Sequence, residues 1–332
     1  MDCKWFWVFL VMMLVSLGEG CWEEERTALL QLKHFFPNPY GYLDDWVKNS
    51  ECCRWECVMC DNNTGRVIKL DLWHVRDWNL GEWYLNASLF SPFQQLQSLD
   101  LSGNNISGCI ENEGFERLSR LSNLKKLNLG FNNFNNNILS SLDGLSSLKY
   151  LYLFINRFKG AINIEGLHSL KKLDMSFNEI DYLVSPKGLS NLEVIHLSGN
   201  NLNNSMLPSL SDLSSLKSLY LDDNELTGTV DVQEELYMGW NRIDKFVNSK
   251  GLSNLEVMDL SGNNLSNSIL SSSSGLFSLK SLYLRDIGLN GTVDVEGLCS
   301  LKNLEVLYMD WNKIDKFVNS KGIPSLNFNN NI

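Results

Sequence analysis

A short pattern, L-x-x-L-x-L-x-x-N-x-L, recurs along most of the 332-residue chain and leaves few folds open to it. From Leu127 onward, most equivalent leucines are 22 to 25 residues apart. This periodicity predicts a solenoid, because one copy cannot bury its leucines alone, whereas stacked copies form a continuous core. The copies begin at Leu96, Leu124, Leu148, Leu170, Leu192, Leu216, Leu255, Leu279 and Leu304, and the copy at Leu279 has Ile287 in place of the asparagine.

Each part of the pattern has a physical meaning. Within L-x-L, alternate side chains face the same side of a short strand, so both leucines point inward. The asparagine ends the strand where the chain turns inward, and its amide can pair with backbone groups of neighbouring coils. This role accounts for the high share of asparagine, 39 residues of the chain. Parallel strands are therefore predicted on a concave side and looser segments on a convex side, which bends the array into an arc.

The first twenty residues predict a secretory signal peptide rather than part of the fold. Lys4 precedes an apolar run of thirteen residues, 5–17, and Gly18 and Gly20 are the small residues that a signal peptidase reads. Thirteen apolar residues are too few to span a bilayer. No later apolar stretch approaches the length of about 18 residues that a membrane helix needs. The mature chain is therefore expected to have no membrane helix and no direct membrane insertion.

Secretion exposes the cysteines to an oxidising compartment, where a dense N-terminal cluster is typical of a disulfide-stapled cap. Cys109 and Cys299 stand alone in separate repeats and are expected to be buried as small apolar side chains. The mature chain has an odd number of cysteines, so at least one thiol is free or pairs between chains. Secretion also allows N-glycosylation, and about half of six sequons are expected to be occupied. The acceptors are Asn62, Asn86, Asn105, Asn203, Asn264 and Asn290.

Two further features narrow the type of repeat. After the asparagine, several copies continue as L-x-G-x-I or a close variant, as at 106–110, 158–162, 226–230 and 289–293. Before the first copy, residues 24–33 have an amphipathic helical pattern, and C-C-R-W-E-C-V-M-C follows at 52–60. Together these features resemble plant leucine-rich-repeat receptor-like proteins and receptor kinases, over nearly all of the mature chain. The resemblance implies an α/β repeat solenoid: a plant-type leucine-rich-repeat arc with a parallel concave sheet and a disulfide-stapled N-terminal cap.

The resemblance also implies how the cap cysteines pair, Cys21 with Cys52 and Cys53 with Cys60. The family pattern, C-C-x-W-x-G-V-x-C, has glycine where this chain has Cys57, which makes Cys57 the expected odd thiol. The predicted organisation is a signal peptide at 1–20, a Cys-rich cap at 21–65, about eleven leucine-rich repeats at 66–318 and an incomplete, frayed repeat at 319–332.

Two irregularities interrupt this organisation. Only 17 residues separate Leu219 from Leu236, so a copy near Gln233 is eight residues short, and a strained or poorly packed joint is expected there. After Leu326 the pattern breaks without the cysteine cap and membrane span of the complete receptors that the chain resembles. The chain is therefore expected to be a receptor-like protein truncated before the membrane anchor.

The sequence contains no motif for catalysis or for a cofactor. It has no phosphate-binding glycine loop, no kinase catalytic loop, no H-E-x-x-H and no G-x-S-x-G. Its four histidines are scattered without the spacing of metal ligands. The net charge of −11 argues against a nucleic-acid partner, since phosphate binding needs a basic face. A non-enzyme without cofactor or metal is therefore predicted.

The strand register predicts a binding surface. The residue between the paired leucines points out of the concave face, and residues near the strand end can join it. Aromatic rings in line, with interspersed charge, suit an extended peptide or a protein ligand. The predicted ligand-binding residues are Tyr152, Phe154, His196, Tyr220, Asp222, Tyr237, Trp240, Tyr283, Arg285, Tyr308 and Trp311. For Trp240 and Trp311 the alternative is packing against neighbouring coils.

Three functions fit these features. The preferred one is the extracellular, ligand-binding module of a plant receptor-like protein in defence or development signalling, with a peptide or protein ligand and a partner receptor kinase. It follows the secretory pathway to the apoplast, or to the outer face of the plasma membrane if the full-length form carries an anchor. The second is a secreted protein similar to polygalacturonase inhibitors. The third is a degenerate truncated receptor product, suggested by the short copy, Ile287 and the broken end.

Overall fold

In the computed structural model, the described residues are 21–37, 40–164, 166–184, 186–210, 213, 215–231, 235–247, 256–267, 269–270, 276, 278–296, 298 and 301–318. The chain divides into two compact units. The first comprises Met1–Arg157 and Ile164–Leu170, and the second comprises Phe158–Asn163 and Lys171–Ile332. The predicted signal peptide, 1–20, and the predicted frayed repeat, 319–332, lie outside the described residues. No helix in the described ranges is suited by length and apolarity to crossing a membrane.

The first unit begins with an amphipathic cap helix, α1 (Glu23–Phe35), which buries Leu29 and Leu32. The helix also carries Glu25, whose side chain is fully buried. One carboxylate oxygen of Glu25 accepts from Arg66 Nε at 2.8 Å, and the other accepts from the Val67 backbone N–H at 3.1 Å. A buried charge needs such partners because it has left water. The pair therefore ties the cap helix to the first strand of the sheet.

Two disulfides complete the cap, and both match the pairing that the resemblance implies. Cys21 bonds Cys52 with a Cα–Cα distance of 5.7 Å, and Cys53 bonds Cys60 with a Cα–Cα distance of 5.4 Å. Cys57, the expected odd thiol, is free and half-buried. Burial raises the pKa of the Cys57 thiol to about 11, with the Glu56 charge as a second cause. The thiol is therefore protonated and unreactive at neutral pH.

The strands of each unit form a sheet in chain order. In the first unit, β1 (Val58–Cys60) is antiparallel to β2 (Val67–Asp71), and parallel strands β4 (Ser98–Asp100), β6 (Lys126–Asn128) and β7 (Tyr150–Tyr152) follow. In the second unit, the parallel strands are β9 (Lys172–Asp174), β11 (Val194–His196), β12 (Ser218–Tyr220), β14 (Glu235–Tyr237), β16 (Val257–Asp259), β17 (Ser281–Tyr283) and β19 (Val306–Tyr308). Their central apolar residues pair directly, so the predicted parallel sheet is confirmed.

The return side of the coils carries short second strands, as the L-x-G-x-I segments predict. They pair in parallel as β3 (Trp83–Leu85) with β5 (Ile106–Cys109), β8 (Lys159–Asn163) with β10 (Glu179–Val184), β13 (Thr227–Asp231) with β15 (Arg242–Val247), and β18 (Asn290–Asp294) with β20 (Lys313–Val318). Single turns of helix fill other returns, among them α2 (Leu139–Leu142) and α3 (Leu207–Leu210). Apolar side chains of the strands and returns meet in the core between them.

The repeat asparagines form the predicted ladder of hydrogen bonds. The Asn200 amide nitrogen donates to the backbone oxygens of Met175 and Leu197 at 3.1 and 2.9 Å, while its oxygen accepts from the Ile180 N–H at 3.0 Å. Each such asparagine thus satisfies backbone groups of two coils, which would otherwise be buried without partners. The series is Asn104, Asn132 and Asn156 in the first unit, and Asn178, Asn200, Asn224, Asn241, Asn263 and Asn312 in the second.

The short copy keeps its place in the sheet of the second unit. Leu236 pairs with Leu219 on one side and with Met258 on the other, and Asn241 joins the ladder. Gln233, where the strained joint is predicted, lies outside the described residues. At the other irregular copy, Ile287 is fully buried in the ladder position. The strands therefore stay in register where the repeat pattern is imperfect.

Candidate functional site

Each strand of the second unit presents the residue between its core positions on the exposed side of the sheet. Strand pairing places these residues directly beside one another, so they form one row. Most are half-buried, and Tyr308 is 45 % exposed. This row, termed the outer row, consists of Asp174, His196, Tyr220, Tyr237, Asp259, Tyr283 and Tyr308.

Rings of the outer row contact each other in two groups. Tyr220 and Tyr237 are stacked, with ring centroids 4.3 Å apart and an interplanar angle of 10°, and the His196 ring lies 4.7 Å from Tyr220. Tyr283 and Tyr308 are stacked at 5.3 Å with an angle of 8°. Contacts of this kind hold aromatic side chains in fixed positions before any ligand binds. The row is therefore a preorganised aromatic surface.

Carboxylates accompany the rings. Asp259 stands between the two tyrosine groups, paired in register with Tyr237 and Tyr283. Asp222 lies two residues beyond Tyr220, accepting from the Gly239 backbone N–H at 2.8 Å and from Ser198 Oγ at 3.1 Å. Burial raises the pKa of Asp222, and the charge of Asp259 adds to the rise. The two carboxylates thus make the middle of the surface negative.

The ends of the row carry charge pairs. At the β9 end, Asp174 lies 3.4 Å from His196 Nδ1. Burial opposes ionisation of Asp174, but hydrogen bonds from His196 and Ser176 outweigh it and lower its pKa. At the β19 end, Arg285 Nε donates to both carboxylate oxygens of Asp310, at 2.8 and 2.9 Å. That hydrogen bond is the main cause that lowers the pKa of Asp310.

The two predicted tryptophans lie beside the outer row in a strained backbone conformation. Trp240 and Trp311 directly precede ladder asparagines, have φ of 55° and 61°, and are 53 % and 70 % exposed. A positive φ is unfavourable for a large side chain. The Trp240 ring lies over Gly262 of the next coil, where an added Cβ would come within 2.5 Å of the indole. Trp240 therefore packs against the neighbouring coil and also exposes about half of its surface. The Trp311 ring has a different contact, since its centroid lies 5.5 Å from the guanidinium of Arg285.

Two predicted site residues belong to the first unit. The Lys126 ammonium lies 5.4 Å from the centroid of the Tyr152 ring. The Phe154 ring lies over Gly130, and both Tyr152 and Phe154 are half-buried. The nine other predicted site residues lie in the second unit, so the structure brings most of the predicted set together on one sheet.

Asp174 and Asp259 point outward in the outer row, as the strand register predicts, but they are not among the predicted ligand-binding residues. Ser198, which donates a hydrogen bond to Asp222, is not among them either. A signal was present, since both aspartates occupy the position between paired core residues, as the tyrosines do. No group of at least three metal-ligating side chains is found within the described ranges.

The predicted glycosylation acceptors differ in accessibility. Asn62, Asn203, Asn264 and Asn290 are exposed and Asn86 is half-buried. Asn105 is only 8 % exposed, and its side-chain oxygen accepts a hydrogen bond from Asn133. The Asn105 amide is therefore less accessible than those of the other five acceptors. Glycosylation of all six stays a prediction.

The two isolated cysteines were expected to be buried. Cys109 is half-buried instead, at the end of β5. Burial raises the pKa of its thiol to about 12, with the Glu116 charge as a second cause. Cys299 lies outside the described residues.

Replacing Asp222 by asparagine is expected to stabilise the protein at neutral pH. The folded chain holds the Asp222 proton to a higher pH than the unfolded chain does, so stability is lost as pH rises between the two pKa values. Asparagine has no charge and can still accept from the Gly239 N–H. The urea midpoint of Asp222→Asn should exceed that of the wild type at about pH 7 and match it at about pH 3. Asp223→Asn, at an exposed neighbour, is the control, and a lower midpoint for Asp222→Asn at neutral pH would contradict the assignment.

Comparisons with known proteins agree with this fold. Residues 23–61 match the Leucine rich repeat N-terminal domain. Residues 95–116, 191–213 and 254–276 match the Leucine Rich Repeat family, and 120–142 and 166–182 match a related repeat family. Among solved structures, the PEPR1–AtPEP1 structure superposes with a TM-score of 0.62 at 26 % identity, over 88 % of this chain and 42 % of that chain.

Relatives by sequence are plant receptors. Cuscuta receptor 1 of Solanum lycopersicum is 35 % identical over 325 residues, which is 96 % of this chain and 24 % of that protein. Receptor-like protein 9b of Arabidopsis thaliana is 40 % identical over 162 residues, 46 % of this chain and 17 % of that protein. The chain thus spans about a quarter or less of the length of these relatives. By its cap, its repeats and its coil geometry, the chain is a leucine-rich-repeat protein, and its relatives are plant receptor-like proteins.

Proposed function

We propose that the outer row binds a peptide or protein ligand, as part of an extracellular perception module of the plant receptor-like type. The observation that carries this proposal is the pair of stacked tyrosine groups with Asp259 between them. Rigid aromatic side chains provide large contact areas at low entropic cost, and they are frequent among residues that dominate binding energy.

The charge pattern favours a ligand with a basic centre. Asp222 and Asp259 are close enough for the charge of Asp259 to raise the pKa of Asp222, and no ion pair is formed by either within the described ranges. A lysine or arginine of the ligand would relieve this repulsion while its neighbours contact the tyrosines. At the other end, Arg285 lies 5.2 Å from the centroid of the Tyr308 ring and is already paired with Asp310, so the middle of the row is where a basic residue is favoured.

The family context supports the same role. The sequence relatives are named as a receptor and a receptor-like protein. We infer that the chain enters the secretory pathway through residues 1–20, acts outside the cell, carries glycans on some of its exposed sequons, and signals with a partner receptor kinase. Its role in this scheme is binding rather than catalysis.

The test is selection of ligands from random linear peptides displayed on yeast, with the full mature chain as bait. Tyr220→Ala and Tyr283→Ala should each weaken the binding of a selected peptide about tenfold or more. Tyr182→Ala is the matched control, because Tyr182 is exposed on β10 of the same unit rather than on the outer row. Equal affinities of all three variants for the selected peptides would overturn the proposal.

A further inference from the structure

A second group of aromatic rings lies on the first unit, apart from the outer row. Four separate segments bring it together: the cap loop after α1, the residues after β2, the following turn of 3-10 helix and a later coil. Neighbouring ring centroids are 5.2 to 6.4 Å apart. This group, termed the cap platform, consists of Tyr40, Tyr42, Trp73, His74, Trp78 and Phe131.

The cap platform is exposed although the cap has a complete aromatic core without it. Trp73 and Tyr40 are 63 % and 57 % exposed, whereas Trp46 and Phe36 fill the cap interior. Contiguous exposed apolar surface is uncommon on soluble proteins and marks a site of interaction. Packing of the cap therefore does not account for the platform.

The platform is held in place before binding. The Trp78 indole N–H donates to His74 Nδ1 at 2.9 Å, which holds the two rings together. His74 has φ of 51°, at a repeat position that is Gly103 in the next coil. The same left-handed conformation occurs at this position in other coils, as at Phe131, Phe177 and Trp240, so it belongs to the repeat backbone.

The polar groups at the platform define what it can bind. Within the described ranges, the Trp73 indole N–H and the Tyr42 hydroxyl have no hydrogen-bond partner, so donors are free. Two nearby carboxylates are engaged: Asp71 pairs with Lys69 at 2.8 Å, and Asp77 accepts twice from Asn79. The platform thus offers flat rings and donors to a ligand that has flat apolar groups and acceptors.

We propose that the cap platform binds a proline-rich peptide segment in the polyproline II conformation. Such a segment has no internal hydrogen bonds, so its carbonyl oxygens are free to accept, and its proline rings dock on aromatic side chains. Gly41 separates the two platform tyrosines in sequence, and the exposed Asp44 carboxylate lies beside it. This negative charge favours a basic residue next to the prolines of the ligand. The net charge of −11 argues against stacked nucleotide bases as the occupant.

The test is calorimetric titration of the full mature chain with a lysine-flanked oligoproline peptide. Binding is expected, and Trp73→Ala should weaken it about tenfold or more. Tyr84→Ala is the matched control, since Tyr84 is 61 % exposed on β3 of the same unit but belongs to neither the cap platform nor the outer row, and it should leave the affinity unchanged. A glutamate-flanked peptide should bind more weakly than the lysine-flanked one.

Three results would overturn the proposal: no binding of oligoproline, equal affinities for the Trp73→Ala and Tyr84→Ala variants, or Trp73-dependent binding of a chitin oligosaccharide in place of the peptide. A fourth result, loss of oligoproline binding in Tyr220→Ala, would place the peptide on the outer row and would also overturn the proposal. The platform and the outer row can therefore fail or succeed independently.

Discussion

Replacing Asn200 by alanine is expected to lower the free energy of unfolding by about 3 to 5 kcal/mol, because several buried backbone groups lose their partners together. The amide of Asn200 serves the Ile180 N–H and the carbonyl oxygens of Met175 and Leu197. Alanine can replace none of these bonds, and the site is enclosed by neighbouring coils, so water cannot replace them cheaply.

Urea unfolding followed by circular dichroism measures the loss for Asn200→Ala. Hydrogen exchange gives a local readout, since the Ile180 amide should lose protection more than amides of the cap. Asn201→Ala is the control, because Asn201 is exposed beside the ladder, and it should change stability by less than about 0.5 kcal/mol. Similar losses for both variants would show that the ladder does not hold the coils together.

Replacing Glu25 by alanine is expected to destabilise the first unit by about 3 to 5 kcal/mol, since removing one partner leaves the other charge buried and uncompensated. The Arg66 side chain is only 14 % exposed, and the Val67 N–H would also lose its acceptor. Glu25→Gln should lose less, because the glutamine side chain can still accept from Val67.

Thermal unfolding combined with limited proteolysis of the cap measures the Glu25 effect. Glu24→Ala, at an exposed position of the same helix, is the matched control and should leave both readouts near those of the wild type. If Glu25→Ala were as stable as Glu24→Ala, the disulfides alone would be sufficient to fix the cap helix.

The repeat pattern predicts the sheet and the direction of its side chains with few errors. The period-two rule places Tyr220, Tyr237, Tyr283 and Tyr308 on one side of the sheet, and the strand register confirms that placement. The rule works because alternation in a strand is a property of the backbone and does not depend on neighbouring side chains. Their role in binding stays a proposal.

Contacts between side chains of different coils could not be predicted in the same way. The Ser198 hydroxyl reaches Asp222 in the next coil, and this bond depends on rotamers that the pattern does not set. The cap platform depends on a loop, which has no periodicity to place Tyr40 beside His74. The burial of Asn105 is a further example, because three residues specify a sequon and nothing in them reports burial.

The pairing of β12 with β14 across the shortest coil implies that the two sides of a coil can evolve separately. Strand pairing fixes the outer row at about 4.8 Å per coil, while an extended ligand advances about 3.3 Å per residue. Three ligand residues therefore span nearly the length of two coils. Insertions or deletions in the returns leave this ratio unchanged. Sequence changes there therefore do not alter the spacing of the outer-row residues that a bound peptide contacts. Only the gain or loss of a whole strand would change which ligand residue meets which tyrosine.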